Sequence, residues 1–321
     1  MSAEDFVFGR VAILGSGTMG AGFAQLLALG GVASAIADAT PEAAEQAKAR
    51  LLDATAAYEQ RGLVPGDSER LVDEHVSPCA TIEDAVAGAD LVIEAVPEDP
   101  ELKHAILDAA ELAAPAGAVI TTNTSAIPIG DLGARRRDAS RFLGMHWFNP
   151  PQWVPCVELI PTPATAPEHV EALSAFLVRL GKTPCVVGDG AGFVGNRIQF
   201  AMFREACRIV EDGLATPETV DAVVRSSFGF RLPFFGPFEI ADMAGLDVYA
   251  GAYDALVGQF GDRLSCPPAI TERVARGELG AKSGKGFLRH TPESARATAT
   301  WRDAAYASLS RLLGELPDRE A

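Results

Sequence analysis

Residues 10–20 read Arg-Val-Ala-Ile-Leu-Gly-Ser-Gly-Thr-Met-Gly, a short apolar run followed directly by a glycine-rich turn. The run Arg10–Leu14 has the length and composition of a buried strand, and residues 21–29 have those of a helix. Glycines between a strand and a helix allow a tight bend, close approach of the backbone to a pyrophosphate, and close packing of the helix on the strand. We therefore predict a dinucleotide-binding turn, with cofactor contacts from Gly15, Gly17, Thr18, Met19 and Gly20.

A second predicted strand, Ala33–Ala37, ends at Asp38, which follows Gly15 by 23 residues. An acidic residue at this point accepts hydrogen bonds from the adenosine ribose and repels a 2′-phosphate. The next residues, Ala39 and Thr40, supply no arginine that would reverse this preference. The predicted cofactor is NAD.

Strands and helices alternate up to about residue 190, and the periodicity beyond it is helical. This pattern predicts an α/β fold, in which a Rossmann-type, doubly wound, mostly parallel sheet occupies residues 1–190 and an all-helical second domain occupies residues 191–321. Within the second domain we predict one helix over Pro237–Val257 and a short strand at Gly286–Leu288.

Composition excludes several classes of function. A net charge of −16 argues against nucleic acid as a partner, because a phosphate-binding surface needs clustered basic residues. Apolar runs are too short to span a membrane, and residues 1–10 do not resemble a secretory signal. Five scattered cysteines favour neither disulfides nor a metal site. We expect a cytoplasmic protein that acts on a small molecule.

His146 stands twelve residues before Glu158, across a proline-rich turn between two apolar runs. A neutral imidazole accepts a hydroxyl proton with one ring nitrogen when a carboxylate holds the proton on the other. The spacing is therefore compatible with a general base and its orienting carboxylate. The alternative is a core histidine that bonds to a backbone carbonyl, with Glu158 as a solvated strand residue.

Taken together, these motifs resemble the 3-hydroxyacyl-CoA dehydrogenase family over roughly residues 9–289. The resemblance rests on the glycine-rich turn, Asp38, and the segments Glu94-Ala95-Val96-Pro97-Glu98, Asn123-Thr124-Ser125, His146-Trp147-Phe148-Asn149-Pro150, Val157-Glu158-Leu159, Gly192-Phe193-Val194-Gly195-Asn196-Arg197 and Lys282-Ser283-Gly284-Lys285-Gly286-Phe287.

The resemblance implies a role for each matching residue. His146 would take the proton of a secondary alcohol, Glu158 would orient the imidazole, and the oxygen would be bound by Ser125 and Asn196. Contacts to the cofactor side are implied for Glu98, Lys103, Asn123, Asn149 and Lys282. Taken singly, Lys103 and Lys282 could instead be solvated charges.

Two departures leave the substrate class open between a 3-hydroxyacyl-CoA and a small 3-hydroxy acid. Members that act on coenzyme A thioesters usually carry several lysines in the helical region after the acidic ribose ligand. The corresponding region of this chain, Pro41–Pro78, contains only four lysines and arginines in total. The link Gly229–Pro237 resembles that of gulonate, carnitine and pyridoxine-degradation dehydrogenases. In that case Arg231 is a candidate carboxylate ligand, and otherwise a surface arginine at a helix end.

A competing hypothesis of another class is a catalytically idle NAD-binding protein, as a crystallin relative of the family suggests. The presence of all four implied catalytic residues favours an enzyme. The resemblance also implies a homodimer through the helical C-terminal domain, which would supply part of the substrate cleft. Its apolar helix faces lie in Ile198–Val210 and Phe238–Leu256.

Overall fold

A computed structural model describes residues 8–317, and within them eight strands form one sheet. Residues 1–7, which belong to the segment expected not to be a secretory signal, and residues 318–321 lie outside the described part. The strands are β1 (Arg10–Leu14), β2 (Ala33–Ala37), β3 (Val76–Pro78), β4 (Leu91–Glu94), β5 (Val119–Thr122), β6 (Phe142–Trp147), β7 (Cys156–Pro161) and β8 (Thr183–Val186).

The strand order is β3-β2-β1-β4-β5-β6-β7-β8, and neighbours run parallel except for β6 and β7. The chain crosses from β1 to β2 and β3, then returns to place β4 on the other side of β1. Doubly wound sheets bind ligands at the carboxyl ends of the strands where this order reverses. The predicted Rossmann-type sheet is confirmed, and the glycine-rich turn after β1 lies at the reversal.

Helices separate and follow these strands. Those of the sheet region are α1 (Thr18–Leu29), α2 (Pro41–Gln60), α3 (Ser68–His75), α4 (Ile82–Val86), α5 (Pro100–Ala113), α6 (Ile129–Gly133) and α7 (Pro167–Arg179). Later helices are α8 (Gly195–Glu211), α9 (Pro217–Ser226), α10 (Pro237–Ala244), α11 (Leu246–Phe260), α12 (Pro268–Ala275) and α13 (Pro292–Glu315). Among the described residues, no helix combines the length and the apolar character that crossing a bilayer requires.

Both faces of the sheet are covered, because successive strand residues point to opposite sides. Ile13 packs in a cluster with Phe23 of α1 and Phe176 of α7. Its neighbour Leu14 packs in a second cluster with Leu107 of α5. Burial on both faces explains why β1 reads as a continuous apolar run rather than as an alternating one.

Internal contacts divide the chain into two compact units, the first ending at Met202 and the second beginning at Phe203. The division falls within α8, twelve residues beyond the predicted boundary at 190. The second unit has its own small core, in which Ala241, Leu246 and Ile270 are buried together. Its described residues form helices, turns and two isolated β-bridges, Gly280 with Lys285 and Lys285 with Arg289, and no named strand.

Two element predictions in the second unit are wrong. The helix predicted over Pro237–Val257 is interrupted, because Gly245 between α10 and α11 has φ 105°, which a continuous helix does not allow. The segment Gly286–Leu288 forms no strand, since two of its backbone N–H groups bond to a side chain: Phe287 and Leu288 donate to the Asp242 carboxylate at 3.0 and 2.8 Å. The third, of Gly286, donates to the carbonyl oxygen of Leu288 at 2.9 Å.

Candidate active site

Two glycines at the junction of β1 and α1, Gly15 in the turn and Gly20 in the first turn of the helix, have their side-chain space filled by backbone. Gly15 has φ 104°, and a Cβ there would lie 2.7 Å from the carbonyl oxygen of Ala95. A Cβ on Gly20 would lie 1.9 Å from the carbonyl oxygen of Gly15. At Gly17, by contrast, no described atom lies within 4 Å of the Cβ position. Gly15 and Gly20 therefore permit tight packing, and Gly17 leaves the backbone open to a ligand.

Asp38, directly after β2, bonds to this turn. Its Oδ2 accepts hydrogen bonds from the Ser16 N–H at 2.7 Å and from the Ser16 hydroxyl, and its Oδ1 accepts one from the Ala39 N–H at 2.6 Å. Burial alone would raise the pKa of Asp38, but these hydrogen bonds and the charge of Arg50 outweigh burial and lower it. The carboxylate that ribose hydroxyls require is therefore favoured at the end of β2.

A cavity of about 600 Å³ opens along the turn. The N-cap of α1 there is Gly17, which provides no side-chain cap and so leaves the first N–H groups of the helix available for a phosphate. Asp38 supplies the ribose acceptor, and Ile82, Leu102 and Ile106 supply apolar surface. These residues fit an NAD molecule. Of the predicted contacts, Gly15, Gly17, Thr18, Met19 and Asp38 line the cavity, whereas Gly20 packs behind it.

Lys103 is not a solvated charge, because its side chain is only 1% exposed. Its Nζ lies 2.8 Å from Glu94 Oε1, 3.1 Å from the carbonyl oxygen of Val96 and 3.5 Å from Glu98 Oε2. Glu94 is also buried, and its second oxygen accepts a hydrogen bond from the Thr122 hydroxyl at 2.5 Å. Lys103 thus neutralises a buried carboxylate and fixes the segment after β4. Its direct contact with the cofactor stays a prediction.

Glu98 holds the loop that follows β5. Its Oε1 accepts hydrogen bonds from the Thr124 hydroxyl at 2.6 Å and from the N–H groups of Ser125 and Ala126, both at 2.9 Å. Burial would raise the pKa of Glu98, but these hydrogen bonds and the charge of Lys103 outweigh it and lower the pKa. One carboxylate oxygen therefore positions Ser125. A contact of Glu98 with the nicotinamide ribose stays a prediction.

His146 and Glu158 are directly opposite each other on the antiparallel strands β6 and β7. Opposed residues share a face of the sheet, so the register brings the two side chains together. His146 Nδ1 lies 2.8 Å from Glu158 Oε2, and both side chains are 3% exposed. Glu158 Oε1 accepts hydrogen bonds from the N–H groups of Val194 and Gly195 at 3.0 and 2.9 Å. The partner of His146 Nδ1 is thus a carboxylate and not the backbone carbonyl of the alternative interpretation.

Two aromatic rings enclose the imidazole of His146. The ring centroid of Phe148 lies 4.8 Å from that of His146, and the centroid of Phe193 lies 5.4 Å away. Phe193 is buried with φ 47°, a conformation that few non-glycine residues adopt. A Cβ on Gly195 would lie 2.4 Å from Phe148 Cζ. Glycine at the start of α8 therefore allows the ring of Phe148 to reach His146.

A second cavity, of about 450 Å³, lies in front of the imidazole. Asn196 Nδ2 donates a hydrogen bond to the carbonyl oxygen of Ser125 at 3.2 Å, which joins α8 to the loop after β5. Asn123 Oδ1 accepts one from the Trp147 N–H at 2.9 Å. The full lining is Thr18, Met19, Asn123, Ser125, His146, Trp147, Phe148, Asn149, Asn196 and Gln199. Because Thr18 and Met19 line both cavities, the two cavities adjoin.

The structure thus brings together most of the predicted site and adds residues that the sequence did not indicate. His146, Ser125 and Asn196 line one cavity, with Glu158 behind His146. Gln199, one helical turn after Asn196, was missed, although its i, i+3 spacing on a helix would have indicated it. Glu94 stands in the family segment Glu94–Glu98, but no role was predicted for it; its pairing with Lys103 and Thr122 depends on tertiary contacts.

Two predicted residues, Lys282 and Arg231, lie in the second unit. Lys282 forms an ion pair with Asp247 at 2.5 Å, and its side chain is 46% exposed. Arg231 lines a cavity of about 260 Å³ together with Arg302 and Tyr306. The contact of Lys282 with the cofactor and that of Arg231 with a carboxylate stay predictions.

Comparison with known proteins gives matches over nearly the whole chain. The family model for the 3-hydroxyacyl-CoA dehydrogenase NAD binding domain matches residues 10–208, and that for the 3-hydroxyacyl-CoA dehydrogenase C-terminal domain matches residues 192–290. The chain is 35% identical over 309 residues to the 5-formyl-3-hydroxy-2-methylpyridine 4-carboxylate 5-dehydrogenase of Mesorhizobium japonicum, covering 95% of this chain and 98% of the relative.

Two further relatives carry names of the thioester class. The chain is 34% identical over 279 residues to a probable 3-hydroxybutyryl-CoA dehydrogenase of Bacillus subtilis, covering 87% of this chain and 96% of the relative. The crystal structure of a 3-hydroxyacyl-CoA dehydrogenase from Archaeoglobus fulgidus matches with a TM-score of 0.77 at 31% identity, covering 95% of this chain and 99% of that one.

Proposed function

The chain belongs to the 3-hydroxyacyl-CoA dehydrogenase family and is an NAD-binding oxidoreductase that acts on a CH–OH group, and from this premise we propose its reaction and substrate class. The proposed reaction oxidises the hydroxyl of a small 3-hydroxy acid, or of a 3-hydroxyacyl-CoA, to the ketone. The observation that carries this proposal is the His146–Glu158 hydrogen bond of 2.8 Å behind a cavity that Ser125 and Asn196 also line.

The protein's own part in the reaction is to move one proton. With Nδ1 bonded to Glu158, the imidazole of His146 keeps Nε2 for the substrate hydroxyl and takes its proton. Glu158 then stabilises the imidazolium that forms, as the carboxylate of a catalytic triad does. Ser125 and Asn196 are proposed to hydrogen-bond the same oxygen as it changes from hydroxyl to carbonyl.

The bound cofactor supplies the hydride acceptor. Gly15, Gly17 and the first turn of α1 are proposed to hold its pyrophosphate, and Asp38 its adenosine ribose. Lys103 and Glu98 fix the segments after β4 and β5, beside the two cavities. Asn123, Asn149 and Lys282 are the further proposed contacts on the cofactor side.

A free acid is favoured over a coenzyme A thioester by the charges of α2 and α3. Residues 41–78 contain four lysines and arginines against eight acidic residues. Lys48 already pairs with Asp73 at 2.8 Å, and Arg70 pairs with neighbouring acids at 2.7 and 3.1 Å. Few cations therefore remain in this region for the phosphates of coenzyme A, whose binding requires local positive charge.

The relative from Mesorhizobium japonicum suggests a second candidate substrate, an alcohol on an aromatic or pyridine-type acid. Its name describes action on a methylpyridine carboxylate, and it aligns with this chain over 95% of the residues. The half-buried ring of Phe148 lines the cavity in front of His146, where it offers an aromatic surface to such a ring. Gulonate- and carnitine-type acids remain within the same free-acid class. For each of these acids, Arg231 is proposed as one ligand of the carboxylate.

We infer a homodimer formed through the second domain. No residue of α8 is buried within the described chain, and Ile198, Phe200 and Phe203 are each about 60% exposed. Apolar surface of this kind on a helix is typical of an interface. A cytoplasmic location is inferred from the five free cysteines, because oxidising compartments favour disulfides.

The test is formation of reduced cofactor, followed by its absorbance, with NAD and a panel of alcohols. The panel contains 3-hydroxybutyrate, 3-hydroxybutyryl-CoA, gulonate, carnitine and a hydroxymethylpyridine carboxylate. Turnover of a 3-hydroxy compound with NAD, and weaker turnover with NADP, is expected. Binding of NAD without turnover of any panel member would instead support the idle NAD-binding alternative.

A further inference from the structure

Gln199 lies on α8 one turn after Asn196 and lines the same cavity as His146. Side chains three residues apart on a helix are neighbours, with Cβ atoms about 5–6 Å apart. Gln199 is thus placed beside the proposed binding point of the reacting oxygen, one helical turn farther along.

Two of the three other amides that line this cavity have protein partners, and the third, Asn149, is already assigned to the cofactor side. Asn196 Nδ2 donates to the carbonyl oxygen of Ser125, and Asn123 Oδ1 accepts from the Trp147 N–H. Gln199 makes no side-chain hydrogen bond within the described part of the chain, and it is exposed to the cavity. Its amide is therefore available to a ligand in a cavity whose described lining contains no lysine, arginine, aspartate or glutamate.

A 3-hydroxy compound carries a second oxygen-bearing group at C1, two carbon–carbon bonds from the reacting carbon. When the O3 oxygen lies between His146, Ser125 and Asn196, the C1 oxygens lie a few ångströms away, a span comparable with the rise of one helical turn, about 5.4 Å. Resting on the proposed function, we propose that the Gln199 amide N–H binds the C1 oxygen and thereby selects a hydroxyl at C3.

This contact would select substrates by the distance between the reacting oxygen and the C1 oxygen, and not by the charge of the acyl group. In a 4-hydroxy acid, the acyl oxygen lies one carbon farther from the reacting oxygen, and a donor fixed on α8 does not meet it. The contact serves a carboxylate and a thioester carbonyl alike, because each presents an acceptor oxygen at C1. A carboxylate gains more from it, since hydrogen bonds to ionised acceptors are the stronger ones.

The experiment compares wild type, Gln199→Leu and Gln199→Glu. Gln60→Leu, at the exposed end of α2, is the matched control for the same chemical change away from the cavity. Substrates are 3-hydroxybutyrate, 4-hydroxypentanoate and 3-hydroxybutyryl-CoA. Each variant is also titrated with NADH by fluorescence, which reports folding and cofactor binding without turnover.

We expect Gln199→Leu to raise KM for the 3-hydroxy substrate about tenfold, with a smaller change in kcat, and to reduce the preference over 4-hydroxypentanoate by the same factor. Binding of NADH stays unchanged. With the free acid as substrate, Gln199→Glu is expected to lose more activity than Gln199→Leu, because the introduced carboxylate repels that of the substrate. With the thioester as substrate, the two variants are expected to lose equal activity.

A Gln199→Leu enzyme with KM and spacing preference within twofold of wild type overturns this inference alone. A wild-type enzyme that binds NADH but oxidises neither 3-hydroxy substrate overturns the proposed function, and this inference with it. If Gln60→Leu changed KM and the substrate preference as much as Gln199→Leu, the change would come from loss of any surface amide, and the inference would also be overturned.

Discussion

At the scale of single residues, the carboxylates around the site are held at both oxygens by the protein. Glu158 bonds to His146 through one oxygen and to two backbone N–H groups through the other. Glu94 is shared between Lys103 and Thr122 in the same way. Hydrogen bonds to both oxygens restrict the rotation of each carboxylate. Glu158 therefore holds His146 in place, and Glu94 holds the segment after β4.

The buried ion pair of Lys103 and Glu94 gives a test of stability. Lys103→Met is expected to lower the free energy of unfolding by about 3–5 kcal/mol, because it leaves the buried Glu94 carboxylate without its countercharge. Urea unfolding followed by circular dichroism measures the loss. The double variant Lys103→Met with Glu94→Gln should recover part of it, and a single-variant loss below about 1 kcal/mol would contradict the assignment.

Glu98 gives a prediction for pH dependence. Its pKa in the folded protein is lowered, so its contribution to stability is complete above the ordinary carboxyl pKa of about 4.3 and is lost as the pH falls through the lowered folded value. Glu98→Gln removes this titration. The difference in unfolding free energy between wild type and Glu98→Gln should therefore shrink on acidification from pH 6 toward pH 3. A difference independent of pH would contradict the lowered pKa.

At the scale of elements, the strand register and the start of α8 form the site together. The pairing of β6 with β7 places His146 opposite Glu158, and the first N–H groups of α8 bind the other oxygen of Glu158. The spacing of twelve residues predicted this pair because a turn between antiparallel strands returns the chain to the same position. The aromatic enclosure was not predictable, since it depends on the approach of Phe148 to Gly195.

Gly195→Ala tests this approach. On helix propensity alone the change should stabilise α8 by up to about 1 kcal/mol. We expect the new Cβ to displace the ring of Phe148 from His146 and to lower kcat about tenfold. Gly117→Ala, where no described atom lies within 4 Å of the Cβ position, is the matched control. Unchanged kcat in Gly195→Ala would show that the ring position is immaterial to catalysis.

Sequence patterns predicted most strands and the long helices, and missed some of the shortest elements. The run of β1 and the glycines after it were sufficient for the fold class. The three-residue β3 and the polar helix α3 have too few residues for a periodic pattern. Gly286–Leu288 has the composition of a strand, but the buried Asp242 carboxylate accepts hydrogen bonds from two of its N–H groups, and only the tertiary structure shows this.

At the scale of the whole molecule, charge and exposed apolar surface point to different partners. The net charge of −16 and the paired cations of α2 and α3 disfavour polyanionic ligands such as coenzyme A. The exposed apolar residues of α8 favour a second copy of the chain. The charge concerns the choice of substrate, and the apolar surface of α8 concerns assembly, so each requires its own experiment.

The proposed dimer predicts a mass of twice 33.7 kDa in sedimentation equilibrium. Phe203→Glu, at a position 62% exposed on α8, should shift the equilibrium toward a single chain, because the interface would then bury an unpaired charge. Leu112→Glu, at a position 60% exposed on α5, is the matched control and should leave the mass unchanged. A single-chain mass for wild type at micromolar concentration would contradict the proposal.

The most direct test of the proposed chemistry compares wild type with Glu158→Gln in the rate of NADH formation from the best 3-hydroxy substrate. Glutamine can still accept the hydrogen bonds of Val194 and Gly195, but its amide N–H group toward His146 favours the tautomer that protonates Nε2. We expect kcat to fall by about 10³–10⁴, with NADH affinity unchanged. A Glu158→Gln enzyme with kcat within threefold of wild type would show that the His146–Glu158 pair is not the base that drives the oxidation.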